Sequence, residues 1–331
     1  MEAAETTFLA IVYLMIGSLL LYVGAEGLVR GSASIAYRFG IRPIVIGLTL
    51  VAFGTSSPEL AVSMSAAIDG HSGISIGNVI GSNICNIALI IGVAALIRPI
   101  EIEIKVIKTD ISIMIGVSFL MILLAVDGEI SRLDGLILSI GIIAYNAITI
   151  YLARKDGVSE DYTSYVEKRK KKLIDVLMLI GGLVGIVLGA TVFLAGAKSV
   201  AMKLGASEAL IGLTVVAFGT SLPELATSIV ASVKDEGDIS IGNAIGSNIF
   251  NILCILGFTA LVMPINAEGI SWADMGIMIF VAILLIPLAL TKRKLSRVEG
   301  FFLLMIYFTY VLYLFVTHYS TGSFFHYFFR Q

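Results

Sequence analysis

The sequence predicts an all-α integral membrane protein of ten transmembrane helices, arranged as two inverted-topology repeats of five helices, with broken helices 2 and 7 at the core. Three observations predict it. The 331-residue chain is 58% hydrophobic and only 14% charged, whereas soluble domains are about half apolar and about a quarter charged. Apolar stretches of membrane-spanning length recur along the whole chain. One long segment occurs twice, with polar residues at its centre.

Ten apolar stretches are long enough to cross about 30 Å of hydrocarbon as helices. Their predicted bounds are 8–28, 43–68, 74–97, 106–126, 133–152, 174–197, 208–233, 239–262, 271–290 and 299–318. The acidic N-terminus lacks the basic region of a signal peptide, so the first stretch predicts a retained helix. The strongly polar residues 154–172 predict a cytoplasmic linker. It divides the chain into a first five-helix repeat over 1–153 and a second over 173–331.

The placement of lysine and arginine predicts the orientation, because these residues concentrate in cytoplasmic loops. With the N-terminus outside, 18 of the 22 basic residues fall on the cytoplasmic side. Only Arg132, Lys198, Lys203 and Arg330 fall outside. We therefore expect a multi-pass protein of the cell inner (cytoplasmic) membrane, with both termini outside.

The internal repeat is specific. Segment 46–99 aligns with 211–264 without a gap and with 33 identities in 54 positions. Equivalent residues of the two copies differ by a constant shift in numbering, the repeat offset, which takes Ile46 to Ile211. Because each half has an odd number of helices, the second copy enters the membrane from the opposite side. This construction is typical of secondary transporters. A duplication kept only for packing would not explain why the best-matched residues are polar ones at mid-membrane.

Each copy predicts a helix break beside a carboxylate. Pro58 and Pro223 lack the N–H group that would bond the carbonyl four residues earlier, and Gly54 and Gly219 loosen the same turn. Hard oxygen ligands of the kind that Na⁺ and Ca²⁺ prefer surround each break. They are Thr55, Ser56 and Glu59 in the first copy and Thr220, Ser221 and Glu224 in the second. A structural kink with a snorkelling glutamate is the alternative, which the cost of a central carboxylate disfavours.

The next helix of each copy carries a polar stripe, with members spaced i, i+4 and i+8 and one neighbour beside them. The members are Asn78, Ser82, Asn83 and Asn86, repeated as Asn243, Ser247, Asn248 and Asn251. Asn86 and Asn251 lie at mid-span and are the predicted ligands. For the asparagines, hydrogen bonding between helices stays an open alternative. Two broken helices and these stripes thus predict one mid-membrane site built for cations.

These motifs resemble the two alpha-repeats of the calcium/cation antiporter superfamily, G-T-S-x-P-E followed by G-N-x-x-G-S-N, and are most similar to its prokaryotic sodium/calcium exchanger-like branch. The resemblance implies exchange of Ca²⁺ for Na⁺ by alternating access, with spans 1 and 6 sliding against the core. It implies that Glu59 and Glu224 bind Ca²⁺ and share sites with Na⁺. The other implied ligands are Thr55, Ser56, Thr220, Ser221, the carbonyls of Ala52 and Ala217, and, lining the centre, Ser82, Ser247, Asn86 and Asn251.

Asn251 departs from the family pattern, because the matching position in well-studied sodium/calcium exchangers is an aspartate. The site here has two ionisable ligands, whose charge balances one Ca²⁺, two Na⁺ or two protons. Proton-coupled exchange of Ca²⁺ or another divalent cation at the same site is therefore the alternative function.

The expected ligands are the transported ions Ca²⁺ and Na⁺, or H⁺. We expect a functional monomer surrounded by lipid, with no cofactor, no nucleic-acid partner and no enzyme activity. Cys85 and Cys254 both lie in apolar spans and are interpreted as buried hydrophobes. A passive channel is disfavoured because the pseudo-symmetry is internal and inverted. A membrane enzyme is disfavoured because the sequence offers no nucleophile–base set.

Overall fold

The computed structural model describes residues 2–156, 172–203, 217–267 and 272–320. The helices are α1 Glu2–Arg38, α2 Pro43–Thr55, α3 Ser57–Ile68, α4 Ser72–Ile97, α5 Ile104–Leu124, α6 Arg132–Asp156, α7 Lys172–Lys203, α8 Ala217–Thr220, α9 Leu222–Val233, α10 Gly237–Val262, α11 Trp272–Leu290 and α12 Arg297–Ser320. The strands are β1 Ile100–Glu101, β2 Glu129–Ile130, β3 Ile265–Asn266 and β4 Lys294–Leu295.

Eight of these helices are long and apolar enough to cross a membrane, and the bent pair α2–α3 would make a ninth span. The fold is therefore that of an all-helical, multi-pass membrane protein. The predicted span 208–233 lies partly outside the described residues, which resume with α8 and the short apolar helix α9. The number ten accordingly stays a prediction.

Helix α1 is longer than the predicted span 8–28, because it continues through a polar segment to Arg38. Hydropathy ends the apolar stretch at this segment, but the structure buries Ser32 and Ser34 there. Arg38 Nε donates to Asp175 Oδ2 of α7 at 2.7 Å. An aspartate that is 2% exposed needs such a partner. Tertiary contacts thus extend the helix beyond its apolar part.

The α2–α3 pair bends by 44° at Ser56. Ser56 leaves helical geometry with φ −84° and ψ 6°, and Pro58 then lies in the first turn of α3. Proline is favoured in a first turn, where its missing N–H has no helical partner to bond. Ser221 repeats this geometry between α8 and α9, with φ −87° and ψ 5°, and Pro223 repeats the proline.

Helices α4 and α10 form the centre of the protein. The share of buried residues in their most apolar windows is 78% and 83%, against 22–33% in the other spanning helices. Large apolar side chains on the other spanning helices point outward, as expected for surfaces in contact with lipid. Polar residues at the centre of these helices, such as Ser82 and Ser247, are therefore held away from lipid.

Helices α1 and α7 cross at very close range and run antiparallel. A Cβ added at Gly17 would lie 2.5 Å from the backbone nitrogen of Phe193, and one added at Gly31 would lie 2.7 Å from that of Leu179. Residues later in α1 therefore contact residues earlier in α7. Each helix carries three evenly spaced glycines, and the repeat offset relates the two sets. They are Gly17, Gly24 and Gly31 in α1 and Gly182, Gly189 and Gly196 in α7.

Two short antiparallel strand pairs join connections between helices. Ile100 of β1 pairs with Leu295 of β4, and Ile130 of β2 pairs with Ile265 of β3. The repeat offset converts one register into the other. The pairs lie at opposite ends of α4 and α10, because β1 follows α4, β3 follows α10, and the end of α4 meets the start of α10 through Arg98 and Asp235 at 2.8 Å.

We predict that Gly182→Ala destabilises the protein, because the added Cβ would lie 2.3 Å from the backbone nitrogen of Leu28 and force α1 and α7 apart. Overpacking of this kind costs about 1–3 kcal/mol. The adjacent Gly181→Ala is the matched control, since its Cβ would meet no described atom within 4 Å. Thermal unfolding of purified protein in detergent checks the prediction. Equal melting temperatures for the two variants would contradict it.

Candidate cation site

The two helix breaks present a carboxylate each to the interior. Glu59 lies in the first turn of α3 and Glu224 in the first turn of α9, and each is 1% exposed. A helix N-terminus favours negative charge, because its first N–H groups lack helical partners. Proline and glutamate therefore act together at each break. The proline fixes where the second helix begins, and the partial positive charge at that helix N-terminus stabilises the negative charge of the glutamate.

Each carboxylate is contacted by a hydroxyl from the other motif copy. Ser56 Oγ donates to Glu224 Oε1 at 2.9 Å, and Ser221 Oγ lies 3.5 Å from Glu59 Oε1. Both serines are the non-helical residues at the breaks. The two motif copies therefore interleave their hydroxyls and carboxylates in one buried polar cluster.

The polar stripes of α4 and α10 supply the next wall. Ser247 Oγ lies 3.5 Å from Glu224 Oε1, and Ser82 Oγ lies 3.5 Å from Ser221 Oγ. Buried Thr55 bonds the Val51 carbonyl at 3.1 Å and Asn243 Oδ1 at 3.1 Å. All of these predicted residues converge on the two glutamates.

The remaining predicted residues lie in the same two segments. Thr220 is buried at the end of α8, directly before the break at Ser221. The Ala52 carbonyl accepts the Ser56 N–H at 3.0 Å and retains a second lone pair. Ala217 begins α8.

Four asparagines form two amide pairs between α4 and α10. Asn86 Nδ2 donates to Asn248 Oδ1 at 3.0 Å, and Asn251 Nδ2 donates to Asn83 Oδ1 at 2.9 Å. Asn86 and Asn251 both lie in π-helical turns, Cys85–Ile91 and Asn251–Leu256. Such turns widen a helix locally and are frequent at functional sites. The sequence did not indicate them.

Asn78 and Asn243 have a supporting position. Asn78 Nδ2 lies 3.0 Å from Ser63 Oγ and 3.3 Å from the Glu59 carbonyl, and Asn243 has equivalent neighbours on α9. For these two residues, hydrogen bonding between helices is the interpretation that the structure supports. They fix the distance between each broken helix and its neighbour.

Four buried acceptor oxygens at this site have no hydrogen-bond partner among the described residues. They are Glu59 Oε2, Glu224 Oε2, Asn86 Oδ1 and Asn251 Oδ1. They occur as two pairs related by the repeat. A buried acceptor without a partner is costly, and more so when it belongs to a carboxylate. A cation or a proton bound among these atoms would remove that cost, and neutral and anionic oxygens together suit a hard cation.

A second polar region lies at the end of the protein where α4 ends and α10 begins. A cavity of about 800 Å³ is lined there by Arg42, Arg98, Glu101 and Glu236, among others. Burial, with the charges of Asp238 and Asp235, raises the pKa of Glu236 to about 7. None of the predicted site residues lines this cavity. Among the described histidines, cysteines and acids, no group of three or more could hold a metal ion.

Fold and site together define a membrane protein whose two copies of one motif enclose buried carboxylate, hydroxyl and amide oxygens. The profile of the sodium/calcium exchanger protein family matches residues 9–151 and 174–316, and the chain belongs to this family. The two matched segments differ by the repeat offset. The motif resemblance to the calcium/cation antiporter superfamily is thereby confirmed.

Individual relatives agree with the family match. The chain is 35% identical to sodium/calcium exchanger MaX1 of Methanosarcina acetivorans over 340 residues, covering 91% of this chain and 97% of that protein. It is 35% identical to inner membrane protein YrbG of Escherichia coli, covering 83% and 87%. A solved structure of the sodium-calcium exchanger NCX_Mj, soaked with Na⁺ and Sr²⁺, superposes with a TM-score of 0.81 at 37% identity, covering 92% and 98%.

We predict that Ser56 and Glu224 are energetically coupled through their 2.9 Å hydrogen bond. A double-mutant cycle with Ser56→Ala and Glu224→Leu, which removes the acceptor, measured as the free energy of unfolding in mixed micelles, should give a coupling of about 1–3 kcal/mol. Ser57→Ala replaces Ser56→Ala in the control cycle, because the hydrogen bond that Ser57 Oγ makes among the described residues goes to the Phe53 carbonyl one turn earlier, at 2.9 Å. Additive effects in both cycles would rule out the contact between the repeats.

Proposed function

We propose that this protein is a secondary active transporter that exchanges Ca²⁺ for Na⁺ across the membrane by alternating access. The proposed site lies at mid-membrane and takes ligands from both repeats. The observation that carries the proposal concerns four buried oxygens, two of them from carboxylates that are each 1% exposed, which have no hydrogen-bond partner in the described part of the chain. Burying two carboxylates among helices is costly unless a bound cation compensates them.

The proposed ligands are the residues of the two breaks and the two stripes. Glu59 and Glu224 supply charge for Ca²⁺ and share their oxygens with Na⁺. The neutral ligands are Thr55, Thr220, Ser56, Ser221, Ser82, Ser247, Asn86, Asn251 and the carbonyls of Ala52 and Ala217. Hydroxyl, amide and carbonyl oxygens suit Na⁺ and Ca²⁺, whereas softer metals prefer sulfur or nitrogen. The names of MaX1 and NCX_Mj, which describe sodium/calcium exchange, support this assignment.

The proposed domains are two inverted repeats of five helices each, at 1–153 and 173–331, joined by the linker 154–172. Such an inverted repeat would allow alternating access. Three observations support it: the family profile matches twice at one offset, equivalent helices α1 and α7 run antiparallel, and equivalent strand pairs lie at opposite ends. Rocking one set of helices against the other would expose the same site to each side in turn. Because one chain supplies both repeats, we propose a functional monomer.

Proton coupling is the second candidate, and the two carboxylates favour it. Glu59 Oε2 and Glu224 Oε2 lack partners among the described residues, and a proton satisfies such an oxygen as a cation does. The amide at Asn251 leaves these two groups as the ionisable ligands of the proposed site. Exchange of one Ca²⁺ for two protons would conserve the charge of the site.

The experiment that tests the function is Ca²⁺ uptake into proteoliposomes loaded with Na⁺ and diluted into Na⁺-free buffer, beside a matched pH gradient without Na⁺. We expect saturable uptake with Na⁺ inside. Glu59→Gln and Glu224→Gln should each reduce it by at least about tenfold, because loss of a charged ligand costs more than about 1.4 kcal/mol. Uptake with the pH gradient alone would instead establish the proton-coupled function.

Glu129→Gln is the control for these variants, because Glu129 is an exposed residue of β2. It should transport at the unmutated rate. Glutamine variants at Glu59 and Glu224 that also retained the full rate would overturn the proposed site. Uptake that rose linearly with Ca²⁺ and needed no counter-ion would overturn exchange.

We propose that the protein lies in the inner (cytoplasmic) membrane, with both termini on the outer, non-cytoplasmic side. Glu101 and Asn266 are equivalent exposed residues of β1 and β3, so they should face opposite sides. After Cys85→Ala and Cys254→Ala, a membrane-impermeant maleimide added to intact cells should label Asn266→Cys and not Glu101→Cys. Permeabilised cells should label both. Labelling of both without permeabilisation would overturn the inverted topology, and the reverse pattern would overturn only the orientation.

A further inference from the structure

Two methionines outside the repeated motifs contact the amide pairs. Asn248 Nδ2 lies 3.4 Å from Met114 Sδ on α5, and Asn83 Nδ2 lies 3.8 Å from Met278 Sδ on α11. Both methionines are 0% exposed. The pseudo-symmetry is therefore kept beyond the motifs, although the repeat offset would take Met114 to Ile279.

A thioether decides which way a neighbouring amide points. Methionine sulfur can accept a hydrogen bond but cannot donate one. Asn248 therefore turns its NH₂ group toward Met114, and its Oδ1 is left to accept from Asn86 Nδ2 at 3.0 Å. This series of hydrogen bonds ends at Asn86 Oδ1, which has no partner among the described residues. Met278, Asn83 and Asn251 repeat the sequence of contacts in the other half. There the Asn83 NH₂ group also lies 3.5 Å from the backbone carbonyl of Asn248, a second acceptor that favours the same orientation.

We propose that Met114 and Met278 are positioning residues for the cation site, acting through Asn248 and Asn83 so that Asn86 and Asn251 offer oxygen rather than NH₂ to the ion. The inference rests on the proposed function, since it presumes that these two oxygens are ligands. An amide is nearly symmetric in shape, and only its neighbours determine which end is which. If Asn248 turned over, its NH₂ would oppose the NH₂ of Asn86, and Asn86 would turn its donor toward the cation.

The test replaces each methionine with leucine, which keeps the volume and removes the acceptor. In Met114→Leu we expect the KM for Ca²⁺ to rise about 2- to 10-fold, the equivalent of one lost hydrogen bond. The maximal rate and the melting temperature should stay at control values. The control is Met121→Leu, a methionine that is 0% exposed and lies two turns further along α5. Met275→Leu serves the same purpose for Met278→Leu on α11.

A carboxylate separates positioning from packing, because its two oxygens are equivalent and need no orientation. In an Asn86→Asp background, Asn248 can turn its NH₂ toward the new carboxylate. The Met114 sulfur is then no longer needed to orient the Asn248 amide. We therefore expect Met114→Leu to leave the KM unchanged in that background. A purely structural role for Met114 would raise the KM by the same factor in both backgrounds.

The outcomes distinguish this inference from the function on which it rests. If the unmutated protein transports Ca²⁺ and Glu59→Gln does not, the function stands. A KM for Met114→Leu equal to that of Met121→Leu would then overturn the positioning role alone. An equal rise in both Asn86 backgrounds would overturn it as well. An unmutated protein without saturable Ca²⁺ uptake would overturn the function and the positioning role together.

Discussion

The structure depends on one constraint: two carboxylates, Glu59 and Glu224, are buried among helices that cross a membrane. The charge of an ionisable group there must be compensated by the protein or by a bound ion, because the hydrocarbon region holds no water. The breaks at Ser56 and Ser221 direct helix N-termini toward these groups, and each serine also reaches the carboxylate of the other repeat. The burial of α4 and α10 keeps lipid away from the same groups. Core, breaks and repeat therefore serve one electrostatic requirement.

The close crossing of α1 and α7 has a different physical basis. Backbone atoms pack against backbone atoms there, as at Gly17 and Phe193, so side chains contribute little bulk between the two helices. Without a hydrophobic drive between helices in lipid, such close packing is a main source of association. This pair corresponds to spans 1 and 6, and their sliding against the core stays a prediction of the family resemblance.

Most of the fold and the composition of the site could be predicted from the sequence, because hydropathy, proline and the repeat offset can all be read without tertiary contacts. The positions of Ser56, Glu59 and their counterparts followed from the motif. The end of α1 at Arg38 did not, since its last turns depend on a contact with Asp175. The contact between Met114 and Asn248 could not be predicted either. It joins residues 134 apart in sequence and depends on how α5 is rotated about its axis.

The similarity of the two repeats includes the strand pairs in their connections but not every charged residue there. The repeat offset takes Arg98 to Met263 and takes Asp235 back to Gly70. The ion pair where α4 ends and α10 begins therefore has no equivalent at the opposite end of these helices. An exposed pair contributes up to about 1 kcal/mol and weakens in salt. If the protein alternates between two access states as proposed, a pair formed in only one of them would shift their ratio by up to about fivefold. Raising the ionic strength would then bring the two states closer to equal population.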